Sequence, residues 1–180
     1  MAATRYIVLF RGVGGATQLP VKELRAVLGE GGFQDVATYI NSGNAVLTAS
    51  SGEEAVRAKV ADLVRAKMGF DKAIMVRSLD DWDAMIAANP FPQAADEPIR
   101  VHVYALEREP AAADVAALQA KITGTEEVCV SGRTLYLHTP DGMGQSRFVP
   151  KMEPTLKLSM TGRNWRSMLA LALAKLARDE

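Results

Sequence analysis

Cysteine, histidine and net charge are what this sequence has least of. A single cysteine, Cys129, stands among 180 residues, so no internal disulfide can form and a reducing, cytoplasmic setting is expected. The histidines number two, His102 and His138, too few with one cysteine to build a structural zinc site. HExxH and CxxC motifs are missing, as is the G-x-S-x-G elbow of a serine hydrolase, so no metal, cofactor or known catalytic set is implied. The 21 basic side chains balance 21 acidic ones, which excludes a global basic field drawing the chain to DNA or an acidic membrane. Long apolar runs are also absent. The longest, near Met168–Leu176, is broken by Lys175 and falls short of the roughly 20 residues of a membrane span. Met1–Arg5 lead straight into a strand, without the charged and apolar regions of a secretory signal.

What is present is a regular alternation of strand and helix patterns. Tyr6-Ile7-Val8-Leu9-Phe10 is a nearly continuous apolar run, suited to a central strand buried on both faces. After the glycine loop Gly12–Gly15, Pro20 suits a first helical turn, and Val21, Leu24 and Leu28 form one stripe of an amphipathic helix. Gly31-Gly32 ends it. A strand over Asp35–Ile40, a Ser42-Gly43 turn and a strand over Asn44–Thr48 make a hairpin. Ser51 and Glu54 have capping-box spacing before a helix carrying Val56, Val60, Leu63 and Val64. Ala73–Val76 is a fourth strand, and Ser78 caps a short helix with Leu79, Trp82, Met85 and Ile86 inward.

The order then recurs. Ile99–Ala105 is a strand, and Val115, Leu118 and Ile122 repeat the helix stripe. Strands Glu127–Val130 and Arg133–His138 flank a second Ser-Gly pair, Ser131-Gly132. This suggests an internal duplication, with residues 1–93 and 94–180 as the two subdomains. The βαββαβ order of the first half is that of a ferredoxin-like plait, an antiparallel sheet with both helices on one face. The expected fold is therefore α+β, with two ferredoxin-like subdomains closed by a C-terminal helix. The second copy is expected to diverge after His138, through a glycine-punctuated loop at Pro140–Arg147 and a helical segment near Phe148–Glu153. Thr161 is expected to cap the terminal helix, whose stripe is Trp165, Met168, Leu169, Ala172, Leu173 and Leu176.

A series of motifs runs along the chain: Arg11-Gly12…Gly14-Gly15, Leu19-Pro20, Tyr39-Ile40-Asn41-Ser42-Gly43-Asn44, Asn89-Pro90-Phe91, Pro140-x-Gly142-x-Gly144-x-Ser146 and Thr161-x-Arg163-Asn164-Trp165. Together they resemble a bacterial family catalogued as domain of unknown function 1697. The resemblance spans essentially the whole chain and implies two ferredoxin-like halves, but no established activity. Three positions depart from the family pattern. The first loop lacks an Ile-Asn pair between Gly12 and Val13, Arg147 stands where the family tends to have lysine, and Ser167 where it tends to have threonine.

Candidate sites follow from residue type and spacing. The glycine loop after the first strand lacks the third glycine of a dinucleotide fingerprint and the Gly-Lys-Ser/Thr of a Walker loop, so it reads as a crossover. The hairpin asparagines are more informative. Aligning the two Ser-Gly pairs sets Asn41 against Val130 and Asn44 against Arg133, so the turn does not itself demand both. His102, Tyr104, Tyr136 and His138 are expected to share one sheet face as a polar-aromatic patch, the basis of an enzyme reading. From Arg147 to Arg166, five basic residues face Glu153 alone, beside an expected helix N-terminus that favours anions. The first functional expectation is a binder of a small anionic ligand, phosphorylated compounds included, with Arg11, Asn41, Ser42, Asn44, Lys151, Thr161, Arg163 and Asn164 as candidate contacts. A nucleic-acid-associated module is the alternative, although Asn44–Leu47 offers no aromatic on which bases could stack.

Overall fold

The computed structural model describes residues 2–14, 16–39 and 43–173. It divides into two units, one comprising the chain up to Ala84 with the chain from Leu171 onward, the other Met85–Ala170. In the first unit, β1 (Thr4–Phe10), α1 (Val21–Glu30), β2 (Gln34–Thr38), β3 (Asn44–Ala49), α2 (Glu53–Met68) and β4 (Ile74–Ser78) follow in sequence. The sheet order is β2-β3-β1-β4 with every pairing antiparallel, as in a ferredoxin-like plait. The apolar run of β1 lies at the sheet centre, with Ile7, Val8, Leu9 and Phe10 all buried.

On one face, Tyr6, Val8 and Phe10 meet Leu24 and Leu28 of α1 and Val56, Val60 and Val64 of α2. Each fully buried leucine or valine there contributes about 1.5–3 kcal/mol over an exposed one, which fixes both helices to the sheet. Gly69 closes α2 in the left-handed region at φ 66°, where a Cβ would be strained. The Ser51–Glu54 capping box does not form. Gly52 occupies the cap position with no side-chain bond, and Glu54 pairs with Arg57 one turn on, Nε to Oε2 at 2.9 Å. Ser78 does cap the following helix, α3 (Leu79–Ala87), accepting the Asp81 N–H at 3.1 Å.

The second unit repeats the plan with β5 (Val101–Leu106), α4 (Ala112–Gln119), β6 (Glu127–Ser131), β7 (Thr134–His138), α5 (Met152–Leu156) and β8 (Met160–Asn164). Its sheet order is β6-β7-β5-β8, again antiparallel. Leu118 of α4 and Met152 and Leu156 of α5 pack on Tyr104, Leu106, Leu135 and Leu137.

Residue pairing makes the correspondence between units explicit and extends it beyond His138. Leu9 opposes Asn44 as Ala105 opposes Thr134, and Phe10 opposes Ile74 as Leu106 opposes Met160. Tyr6 opposes Ser78 as His102 opposes Asn164. The second copy therefore carries its own fourth strand, where the sequence suggests a helix start at Thr161. Thr161 is buried inside that strand. Its neighbour Gly162 leaves room for the Tyr104 ring, since a Cβ there would lie 2.5 Å from Tyr104 Cε1. Capping falls to Asn164, whose Oδ1 accepts the Ser167 N–H at 2.9 Å at the start of α6 (Trp165–Leu173).

The two hairpins also differ from expectation. In the second unit Ser131 pairs with Thr134, so the two-residue loop is Gly132-Arg133, with Gly132 at φ 55°. In the first, Tyr39 N–H donates to Asn44 O at 3.3 Å, which joins the ends of the two strands. The expected Ser42-Gly43 turn lies in part outside the described residues, since 40–42 are not among them. The Phe10 N–H donates to Gly43 O as Leu106 N–H does to Arg133 O, at 2.8 and 2.9 Å. Asn44 thus corresponds to Thr134, one position away from the alignment that the shared Ser-Gly letters suggest.

Candidate functional site: a polar cleft in the second unit

Two connections in the second unit are longer than their counterparts in the first. The α1–β2 link is three residues, 31–33, whereas the α4–β6 link is seven, 120–126. Similarly, β3 reaches α2 in three residues, 50–52, whereas β7 reaches α5 in thirteen, 139–151. The plait does not need this extra chain, because the first unit does without it. Added loops on a rigid scaffold are where binding residues concentrate. Both loops adjoin the sheet end where Glu127 pairs with His138, and between them lies a cavity of about 260 Å³.

Each wall is held from within the unit. The Thr139 N–H donates to Arg100 O at 2.9 Å, and Arg100 Nη1 donates to Pro140 O at 2.7 Å, pinning the long loop where it leaves β7. Gly142 turns the chain at φ 90°, a conformation that strains other residues. Ser146 then organises the far side. Its Oγ accepts the Phe148 and Val149 N–H groups, both at 3.2 Å, and donates to Glu126 Oε1 at 2.6 Å. This one hydroxyl ties the two loops together. Thr125 Oγ1 donates to Asp141 Oδ2 at 2.7 Å as a second cross-loop tie.

The lining carries two carboxylates, Glu126 and Asp141, and one guanidinium, Arg147. Glu126 Oε2 is buried without a hydrogen-bond partner among the described residues. A Cβ at position 124 would stand 2.6 Å from that oxygen, so the absence of a side chain at Gly124 is what lets the carboxylate lie against the backbone. Arg147 is exposed at the rim and makes no hydrogen bond or ion pair among the described residues.

Most of the candidate contacts chosen from sequence serve the fold, and none of those described lines this cleft. Arg11 follows β1, its N–H donating to Ala73 O at 3.0 Å. Asn44 is 2% exposed, and its Nδ2 donates to Tyr39 O at 3.1 Å, closing the hairpin. Asn41 and Ser42 lie outside the described residues. Lys151 is exposed in the turn before α5. Arg163 Nη1 donates to Thr161 Oγ1 and to Gly162 O, both at 2.8 Å, and burial pulls its pKa down to about 10, leaving it charged at neutral pH. Thr161, Arg163 and Asn164 thus come together on β8, where Asn164 is committed to capping α6.

The polar-aromatic patch does not form. β5 and β7 are neighbours, but opposed residues share a face, and His102 opposes Leu137 while Val101 opposes His138. His102 and Tyr104 therefore lie on the helix-covered face and Tyr136 and His138 on the other. Burial raises both tyrosines to about 12 and lowers His102 to about 4. Each is neutral at physiological pH. Tyr136 Oη donates to Met85 O at 2.7 Å, and His138 Nδ1 lies 3.3 Å from Glu127 Oε1. In the first unit, Lys72 Nζ donates to Thr17 Oγ1 at 3.0 Å and lies 3.4 Å from Gly12 O, tacking down the glycine loop. No group of three or more His, Cys, Asp or Glu suited to a metal occurs among the described residues.

Sequence reasoning noticed the glycine-punctuated loop but missed its partner wall, Thr123–Glu126. The signal available was length, since the second α–β link is more than twice the first.

Fold and site together define a duplicated ferredoxin-like protein whose second copy carries an elaborated polar cleft. The chain belongs to DUF1697, a family of proteins of unknown function, whose model matches residues 3–136. That match ends on β7, before the long loop. A solved structure, that of the conserved bacterial protein SP0830 from Streptococcus pneumoniae, is similar over 96% of this chain and 98% of its own, with 19% identity and a TM-score of 0.73. At that identity the likeness speaks for the fold. No curated protein matches the chain. No described helix is long and apolar enough to cross a membrane.

Proposed function

We propose that this protein binds a small ligand bearing an anionic group, and that the site is the cleft between the 120–126 and 139–151 loops. The observation that carries this reading is Arg147, a guanidinium unpaired among the described residues at the rim of a hydroxyl-rich cavity of about 260 Å³. That volume lies just below the roughly 300–1,000 Å³ of drug-sized sites, so the ligand is metabolite-sized. A guanidinium recognises carboxylate or phosphate by paired hydrogen bonds. Cross-loop ties at Ser146 and Thr125 support the reading, because they order the walls without a ligand. The anion contact thus moves from the sequence-selected Arg11, Lys151 and Arg163 to Arg147.

The test is thermal melting of the full chain against phosphorylated sugars, nucleotides, organic acids and amino acids. A ligand at a hundred times its Kd stabilises by about 2.7 kcal/mol, a readily measured shift. Arg147→Ala should weaken the hit at least about tenfold, near 1.4 kcal/mol, without lowering the unliganded melt. If no anion in the panel moves the wild-type melt, the reading is wrong.

A further inference from the structure

We infer that the ligand of this cleft is a zwitterion of the α-amino-acid type, its ammonium group seated on Glu126 Oε2 and its anionic group on Arg147. The inference rests on the ligand-binding reading above and names its substrate class. A plain anion suits the cleft poorly, since the lining sets two carboxylates, Glu126 and Asp141, against one guanidinium. A buried carboxylate oxygen without a partner calls for a donor, and Glu126 Oε2 is such an atom among the described residues.

Its geometry is fixed in advance. Ser146 Oγ accepts two backbone N–H groups, so its proton is free to go to Glu126 Oε1, at 2.6 Å. That bond orients the carboxylate and leaves Oε2 as the available acceptor. The position of Oε2 depends on Gly124, where a Cβ would intrude to 2.6 Å and displace the carboxylate. A protonated amine supplies three donors and one positive charge, which answers both the empty acceptor and the negative lining. Each carboxylate has one oxygen taken by a cross-loop hydroxyl, but Asp141 is exposed, so water serves its second oxygen, whereas Glu126 Oε2 is buried without a partner among the described residues. Arg147 is unpaired among the described residues and stands on the same cavity to take the carboxylate end.

Calorimetric titration of the full chain with free L-amino acids, their N-acetyl derivatives and inorganic phosphate tests this. The expected result is binding by one or more free amino acids, with N-acetylation of the same compound costing at least tenfold. Glu126→Gln should cost a similar factor while keeping the Ser146 bond, and Gly124→Ala should block binding without removing a charge. Unfolding measured on both variants separates lost binding from lost structure. If acetylated compounds or phosphate bind as tightly as free amino acids, or if Glu126→Gln retains full affinity, the zwitterion inference fails and the anion-site reading stands. If none of these probes, and no anion in the wider panel, binds, both fail.

Discussion

Burial holds the His102 imidazole at a pKa of about 4, and the residues opposite it across the sheet, Leu137 and Asn164, offer no charge to offset this. Its Nδ1 is buried without a partner among the described residues. An unfolded histidine titrates near 6.5. Between those values the unfolded chain binds a proton that the folded chain refuses. Unfolding therefore becomes easier as pH falls through that window, by up to about 3 kcal/mol, and the contribution levels off below it. His102→Leu should flatten this part of the curve, read as a smaller gap between urea midpoints at pH 7.5 and pH 4. An acid slope unchanged by the substitution would mean that other groups set it. At this scale the sequence misleads for a definite reason. Alternation identifies which residues of one strand share a face, but not how two strands are phased, and a slip of one residue sends His138 to the opposite face from His102.

At the scale of elements, Ser78 and Asn164 do the same work at matching places, each ending a fourth strand and capping the helix that follows. Ser78→Ala and Asn164→Ala should each cost about 1 kcal/mol, the usual value of a side-chain cap, measurable by chemical denaturation. Thr161→Ser should cost less than Asn164→Ala if Asn164 is the cap, and the reverse order would restore the longer helix that the sequence suggests. Strands and helices were legible wherever burial imposed a period. The apolar run of β1 and the Leu24–Leu28 and Val56–Val64 stripes are read directly from it. β8 was hidden because Met160-Thr161-Gly162-Arg163-Asn164 has no alternating apolar pattern. Its strand character comes from pairing with β5, a tertiary effect that no local window contains. The hairpins were misaligned because glycine is used for different reasons. Gly132 serves a two-residue turn, whereas a Cβ on Gly43 would come within 2.8 Å of Phe10 O.

Taken whole, the molecule is one plan used twice with unequal decoration. The first unit shows what the plait needs at minimum, and the second adds chain at two links that frame a polar cleft. A balanced charge of 21 against 21 leaves recognition to local groups instead of a global field. The candidate site was only half legible, since the glycines and Arg147 stand out in the sequence, while Glu126 acquires meaning through its bond to Ser146, twenty positions away. This asymmetry makes a spatial prediction that competes with the hairpin asparagines. Hydrogen exchange, with and without a ligand found in the melting panel, should show added protection across 120–126 and 139–151. The hairpin of the first unit should exchange at the same rate in both states, because Asn44 already satisfies Tyr39 O with no ligand present. Protection at the hairpin without protection of the long loops would move the site to the first unit, and Arg147 with Glu126 would then be ordinary surface groups.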